Sequence, residues 1–386
     1  MSVATATRRA PLDWRLIIAL AALLVVGALA FGFKVSPGMP DFEVYRLAAA
    51  RALAGEPLYR PEDGHWLFKY LPSFALAIAP IARVPVQVAK AIWFTGSVAA
   101  LLILLRLSLS LLPRFEKPAW WLIVATVVVM GKFYAHELTL GQSNLLLAAA
   151  VGGALLALKR QHEGLAGALV VIAIVLKPYA VILLPWLLAR GRRASIAVAA
   201  FGTVLALLAP IARYGITPAI QLHLDWWRTV VTSIEPNLLN ADNVSWVAMY
   251  SRWFGAGPLA RWLALATALA ALGLVIDVYR QRRAVPFPEL LEGGLLLTLI
   301  PFLSPQGWDY TLLVATPAVM CLVNYEQELP PALRAAAIAA MAIVGLTIYD
   351  VMGRAMYSTF MGQSGITIAF MVIILALVRL RRRQVA

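Results

Sequence analysis

The chain has 386 residues, 62% of them apolar and 13% charged, with a formal charge of +14 and a mean hydropathy of +0.81. About 240 apolar residues are too many to hide in a soluble core and suffice for roughly twelve membrane spans of about 20 residues, which excludes a soluble enzyme, a secreted domain and a disordered chain. The positive charge sits in Arg tracts between apolar segments, at 190–193, 280–283 and 379–383, a cytoplasmic-loop signature rather than a nucleic-acid groove.

At the N-terminus, Arg8, Arg9 and Arg15 precede an apolar stretch that reaches Phe33. Ala28-Leu29-Ala30 resembles a signal cleavage site, but the stretch runs on past it and is longer than most signal cores. It is expected to remain as the first span. Further spans are expected at roughly 86–112, 119–135, 143–158, 164–177, 178–190, 195–213, 258–279, 289–304, 309–325, 332–350 and 365–380. Together with 14–33 these make about twelve, and they place every Arg tract and both termini on the cytoplasmic side. The apolar stretch 71–83 is too short to cross and would invert the pattern, so a juxtamembrane or re-entrant helix is expected there. Segments 164–177 and 178–190, joined at Lys177-Pro178, read as a tight helical pair. The expectation is a single all-α polytopic membrane domain over 1–386. Cys321 is the sole cysteine and lies in an apolar run, which excludes disulfides and a Cys-rich metal site.

The polar mass lies in two outer segments, 34–70 (within a first outer loop of 34–85) and 214–257, with smaller outer turns at 136–142, 305–308 and 351–364. Any chemistry is therefore expected at the outer face or within the membrane. Residues 41–54 read as an amphipathic helix with apolar positions 44, 47/48 and 52, stopped by Gly55 and Pro57. Asp41, after Pro40, is either the helix N-cap or a general base at the membrane surface. Lys69, in Phe68-Lys69-Tyr70-Leu71-Pro72, is either a snorkelling anchor or a phosphate ligand. Gly141-Gln142-Ser143-Asn144 opens a span with amides that can bind sugar hydroxyls or neighbouring helices. Lys177-Pro178-Tyr179 puts a cation at an outer joint, where a carboxylate or an anionic substrate would satisfy it. Trp226-Trp227-Arg228 combines aromatic-belt residues with a cation. Ser304-Pro305-Gln306-Gly307-Trp308-Asp309-Tyr310 breaks two apolar runs at the same face.

In this order the motifs resemble the pattern of glycosyltransferase family 87, polyprenyl-phosphate-mannose-dependent mannosyltransferases of the multi-spanning C-type superfamily. The resemblance runs from Asp41-Phe42, Tyr45 and Gly55-Glu56-Pro57-Leu58-Tyr59 through Phe68–Pro72, Gly141–Asn144 and Leu176–Tyr179 to Ser304-Pro305 and Trp308-Asp309, about residues 10–325. It implies that Asp41 is the general base. Substrate contacts are then expected from Tyr45, Lys69, Tyr70, Gln142, Asn144, Lys177, Tyr179, Trp308 and Asp309, with Arg228, outside the resemblance, as a further candidate. Leu71 replaces the first proline of the family's Lys-Tyr-Pro-Pro-like stretch. The family's Asn-Gln-Ser stretch survives only loosely, as Asn240-Ala241-Asp242-Asn243-Val244-Ser245. The histidine that commonly follows the Trp-Asp pair is replaced by Tyr310 and Thr311.

The activity implied is inverting transfer of a hexose, mannose by resemblance, from a polyprenyl-phosphate donor to a lipid or glycan acceptor at the outer face of the cytoplasmic (inner) membrane. A base for the acceptor hydroxyl and cations for the departing phosphate suffice for such a step, with Lys69, Lys177 and Arg228 as the candidate cations. No nucleotide-binding loop is visible, and a lone Asp without a carboxylate cluster argues against a tightly held divalent metal or another cofactor. The rival is a secondary transporter or lipid flippase. Such proteins place ionisable groups near the midplane, whereas Asp277 and Asp350 lie near the ends of their segments.

Overall fold

The computed structural model describes residues 31–383, all-α apart from one isolated antiparallel bridge between Asn243 and Trp308. The expected first span at 14–33 lies almost wholly outside the described residues. The principal helices are α1 (Pro40–Ala54), α2 (Pro72–Ala77), α3 (Val86–Leu111), α4 (Ala119–Leu140), α5 (Asn144–Lys159), α6 (Glu163–Leu176), α7 (Leu183–Ala189) and α8 (Arg193–Leu208). They continue as α9 (Ile216–Thr232), α10 (Trp246–Phe254), α11 (Pro258–Arg280), α12 (Glu289–Leu303), α13 (Thr316–Tyr325), α14 (Pro331–Leu346), α15 (Arg354–Gly362) and α16 (Gly365–Arg382).

Three helices, α3, α4 and α11, are long and apolar enough to cross a bilayer, as is the segment Arg193–Tyr214 that extends α8. The pair α15–α16, bent by 57°, makes a fifth candidate. Shorter apolar helices occupy Asn144–Lys159, Glu163–Leu176, Pro178–Ala189 and Pro331–Leu346. The chain is thus an all-α multi-pass membrane protein. Residues 71–83 form two short pieces, α2 and a 3-10 turn at Ala79–Arg83, which pack beside α1. Neither piece reaches the about 20 residues a crossing needs.

Helix amphipathicity sorts the bundle into centre and rim. Every residue of α13 is buried, and all of α12 except Leu303, as expected of helices that are apolar all round. By contrast α8 and α11 bury only a few small or medium residues and turn Phe201, Leu205, Trp262, Leu265 and Leu269 outward, the surface a lipid-facing helix presents. Helix α9 is two-sided. Ile216, Ile220, Leu224, Trp227 and Val231 form an exposed stripe, while Ala219 and Leu222 are buried, the pattern of a helix lying in a membrane interface.

The three Arg tracts meet at one end of the bundle, around the start of α12. Arg190 pairs with Glu289 and with Glu292 at 3.1 Å, and Arg192 with Glu163 at 3.2 Å. Arg282 reaches Glu292 at 3.5 Å, and Arg381 donates to the Pro288 carbonyl at 3.0 Å. The other end of α12, about 22 Å away by its fifteen-residue rise, leads into Ser304–Tyr310 and the polar segments.

In α1 the buried stripe is rotated from the expected one. Phe42, Tyr45, Ala48, Ala49 and Ala52 face inward, Val44 is partly buried and Leu47 is exposed. The cause is tertiary: Tyr45 packs edge-on against Tyr70 and Phe74, and Phe42 against Trp93. The helix starts one residue earlier than expected, with Met39 at its N-cap, so Asp41 is the second helical residue and caps nothing. Its carboxylate is free for another use.

Candidate active site

A cavity of about 340 Å³ opens at the polar end, where segments 34–85 and 214–257 (the first and second of the expected outer segments) and the loop after α12 converge. Its position depends on Gly141. This residue ends α4 in a left-handed conformation (φ 70°) and lies so close to α1 that a Cβ would sit 2.7 Å from the Phe42 Cβ. Only glycine takes that conformation cheaply and allows the approach. The turn carries Gln142 beneath α1, where its Oε1 accepts from Tyr45 (2.8 Å), Tyr70 (3.0 Å) and Lys177 Nζ (2.9 Å). Lys177 also donates to the Tyr70 hydroxyl at 2.6 Å, and the Tyr45 and Tyr70 hydroxyls hydrogen-bond each other. The extended backbone at Lys177, between α6 and the 3-10 turn Pro178–Ile182, aims this side chain inward. Beneath it the buried Glu137 binds Asn144 Nδ2 (2.8 Å) and the Leu145 amide (3.0 Å), and Tyr179 donates to Asn144 Oδ1 (2.8 Å).

Asp41 and Lys69 form the wall contributed by the first outer segment. Burial raises the Asp41 pKa above the ordinary carboxylate value; the Gln142 hydrogen bond and the Lys177, Lys69 and His136 charges oppose that rise without cancelling it. Burial likewise lowers the Lys69 pKa against the pull of Asp41. The segment leading to Lys69 is tied down twice. Arg51 grips Asp63 through two bonds of 2.5 and 2.7 Å, and Tyr59 donates to the Tyr70 carbonyl at 2.6 Å. Lys69 Nζ donates to Gln306 at 3.2 Å, its sole side-chain hydrogen-bond partner among the described residues. No carboxylate lies within ion-pair distance of Lys69 or Lys177 among those residues.

The opposite wall joins residues 237–245 to 304–311. Val244 donates to the Gly307 carbonyl (2.7 Å), Asp309 to the Asp242 carbonyl (2.9 Å), and Asn243 Nδ2 to the Pro305 carbonyl (2.8 Å). This clamp exposes Trp308, stacked on Tyr310 with rings 8° from parallel, to the cavity. Behind it the Asp309 carboxylate is fully buried; it meets His136 Nδ1 at 3.0 Å and Lys132 Nζ at 3.9 Å. His136, on α4, lines the cavity. No histidine follows Trp308-Asp309 in the sequence, and His136 reaches Asp309 from another helix.

Of the expected site residues, Asp41, Lys69, Tyr70, Gln142, Lys177, Tyr179 and Trp308 line this one cavity. Tyr45, Asn144 and Asp309 stand one layer behind, each bonded to a residue that lines it. Arg228 is placed apart from them. It lies outside the cavity, exposed, and pairs at 3.3 Å with Asp225 on the same helix. Its neighbour Trp226 is the residue that turns inward, donating to the Lys69 carbonyl at 3.1 Å. Arg228→Ala should leave sugar transfer within about twofold of wild type in a kinetic assay, as surface substitutions do; a tenfold loss would return it to the site. Sequence reasoning passed over His136, Asp242 and Gln306 as individual site residues. A histidine near the end of an apolar helix is a signal for the first, because ionisable groups there are functional by default.

A groove of this kind, with the partly buried Asp41 carboxylate facing two cations that lack carboxylate partners, can remove a proton from a hydroxyl and hold an anion. The sequence model of glycosyltransferase family 87 matches residues 68–305, which takes in Lys69, Gln142 and Lys177; Asp41 lies well before it and Trp308-Asp309 just after it. No curated protein and no solved structure matches the chain. The match spans well over half of the sequence, and the chain belongs to glycosyltransferase family 87.

Proposed function

We propose that the protein transfers a hexose, mannose by family resemblance, from a polyprenyl-phosphate donor to a lipid or glycan hydroxyl at the outer face of the cytoplasmic membrane. The observation that carries this reading is the convergence of Asp41, Lys69 and Lys177 on a single cavity at the end of the bundle remote from the Arg tracts. Asp41 takes the acceptor proton as the hydroxyl attacks the anomeric carbon from the face opposite the phosphate, which inverts that centre. Lys69 and Lys177 hold the phosphate as charge builds on it. The raised pKa of Asp41 strengthens it as a base, and Trp308 offers a flat face to the sugar ring. The volume falls in the about 300–1,000 Å³ range of small-molecule sites, which suits the sugar and phosphate while the polyprenyl chain stays in lipid. No observation on the molecule favours a transporter or a flippase.

Purified protein incubated with radiolabelled polyprenyl-phosphate sugars and membrane lipid extract tests the reading: label should pass from one donor to an acceptor. Transfer from a nucleotide sugar alone would overturn it. Lys69→Ala should lower kcat/KM for the donor about ten- to a hundredfold, the value of one charge-assisted hydrogen bond at about 1.5–3 kcal/mol. Kinetics unchanged after normalising for folded protein would reduce Lys69 to a membrane anchor.

A further inference from the structure

The reaction proposed above uses Asp41 and the two lysines and leaves the His136–Asp309 pair without a task. That pair is built with care. Asp309 is fully buried, its Oδ1 meets His136 Nδ1 at 3.0 Å, and its Oδ2 has no hydrogen-bond partner among the described residues. Lys132, one turn earlier on α4, also has a buried Nζ with no hydrogen-bond partner among those residues, 3.9 Å from the same carboxylate. Asp242 approaches from the second outer segment, and the Tyr310 ring stands edge-on to the imidazole at 5.2 Å and 87°. With Nδ1 turned to a buried carboxylate outside the cavity wall, the ring nitrogen left for the cavity is Nε2. The local charges are Asp309 and Asp242 against Lys132, and Arg252 acts on Asp242 as well. Across the cavity the charged groups are Asp41, Lys69 and Lys177, and Glu137 lies beside His136 on α4.

We infer that His136, oriented by Asp309, is the general acid of the transfer and the partner of the Asp41 base. The inference rests on the phosphate-linked donor proposed above. The acceptor O–H bond breaks and its proton goes to Asp41, while the acceptor oxygen bonds the anomeric carbon. The bond from that carbon to the phosphate oxygen breaks with its electron pair on the phosphate. His136 then passes its Nε2 proton to a phosphate oxygen, leaving a singly protonated phosphate monoester and a neutral imidazole that keeps its Nδ1 proton on Asp309. The proton held by Asp41 moves to His136 through the cavity and resets both groups, so no external acid is consumed. A phosphate monoester has a second pKa of about 6, in the range where imidazole groups exchange protons, as general acid catalysis requires.

The test is the pH dependence of transfer by the full-length protein in nanodiscs with a polyprenyl-phosphate hexose. Wild type should show an alkaline limb in kcat as His136 loses its proton. His136→Gln should abolish that limb and lower the neutral-pH rate about 10²-fold, the lower end of acid–base contributions, with donor KM changed far less. Asp309→Asn keeps the shape and removes the counter-charge, so it should move the limb to lower pH. This second variant serves even if His136→Gln folds poorly. A rate and alkaline limb unchanged in His136→Gln, or a limb unmoved in Asp309→Asn, would overturn the inference while leaving the donor reading intact. Absence of transfer by wild type from every polyprenyl-phosphate hexose would overturn the donor reading, and this acid with it.

Discussion

Asp41→Asn should lower sugar transfer by about 10²–10⁴-fold, the usual contribution of a general base, while leaving the fold as stable as wild type or slightly more so. The two halves of this expectation have separate causes. The substitution keeps the shape of the side chain and removes its ability to accept a proton. No cap is lost, because Met39 and not Asp41 occupies the N-cap of α1. The stability half follows from the direction of the pKa. A carboxylate raised by burial contributes stability below its unfolded value near 3.9, and that contribution is lost as pH rises through the higher folded value. At neutral pH the ionised Asp41 is therefore a cost, which asparagine removes. Against this stands the favourable placement of a negative charge in the first helical turn, worth about 0.3–1 kcal/mol, so the net change is small. The same rise places the acidic limb of the wild-type pH–rate profile above the ordinary aspartate range. Rate measurements beside thermal unfolding in detergent check both halves. Folded Asp41→Asn protein with near wild-type transfer would remove the base from the mechanism.

Gly307→Ala, in the cavity wall between Gln306 and Trp308, should damage both fold and activity although it touches no reacting group. A Cβ at this position would overlap the Pro301 carbonyl oxygen, which is helix backbone and cannot swing aside, and would press on the Ser245 side chain at 3.2 Å. The loop would have to lift from α12, breaking the hydrogen bond from Val244 to the Gly307 carbonyl and the one from Gly307 to Asn243 Oδ1. Overpacking costs about 1–3 kcal/mol and occasionally more, and backbone overlap belongs at the top of that range. Transfer should fall about 10²-fold in the protein that still folds, because Gln306 and Trp308 would be displaced by about an ångström, as expected for misplaced substrate-holding groups. A melting temperature and a rate both equal to wild type would show that the clamp between 237–245 and 304–311 is dispensable.

Much of the molecule follows from composition and spacing alone. An excess of apolar residues dictates a multi-pass α-helical protein, because in lipid each backbone polar group must be satisfied within its own segment. The Arg tracts mark one end of the bundle, and a few short polar motifs at the other end carry the family resemblance, Lys69, Gln142 and Lys177 among them. These features are local, so the sequence displays them directly. What needed the tertiary structure are the choices made between elements. Position along α1 shows that Asp41 can cap or catalyse; packing of Phe42 and Tyr45 against Trp93, Tyr70 and Phe74 turns the helix so that Asp41 faces the cavity. Arg228 and Trp226 are two residues apart, and only the seating of α9 on the first outer segment decides that the tryptophan points inward and the arginine outward. His136 and Asp309 are 173 positions apart and meet because α4 and the segment after α12 pack together. A hydrogen bond across that separation has no periodicity or composition to announce it, since it exists only once the helices have chosen their neighbours.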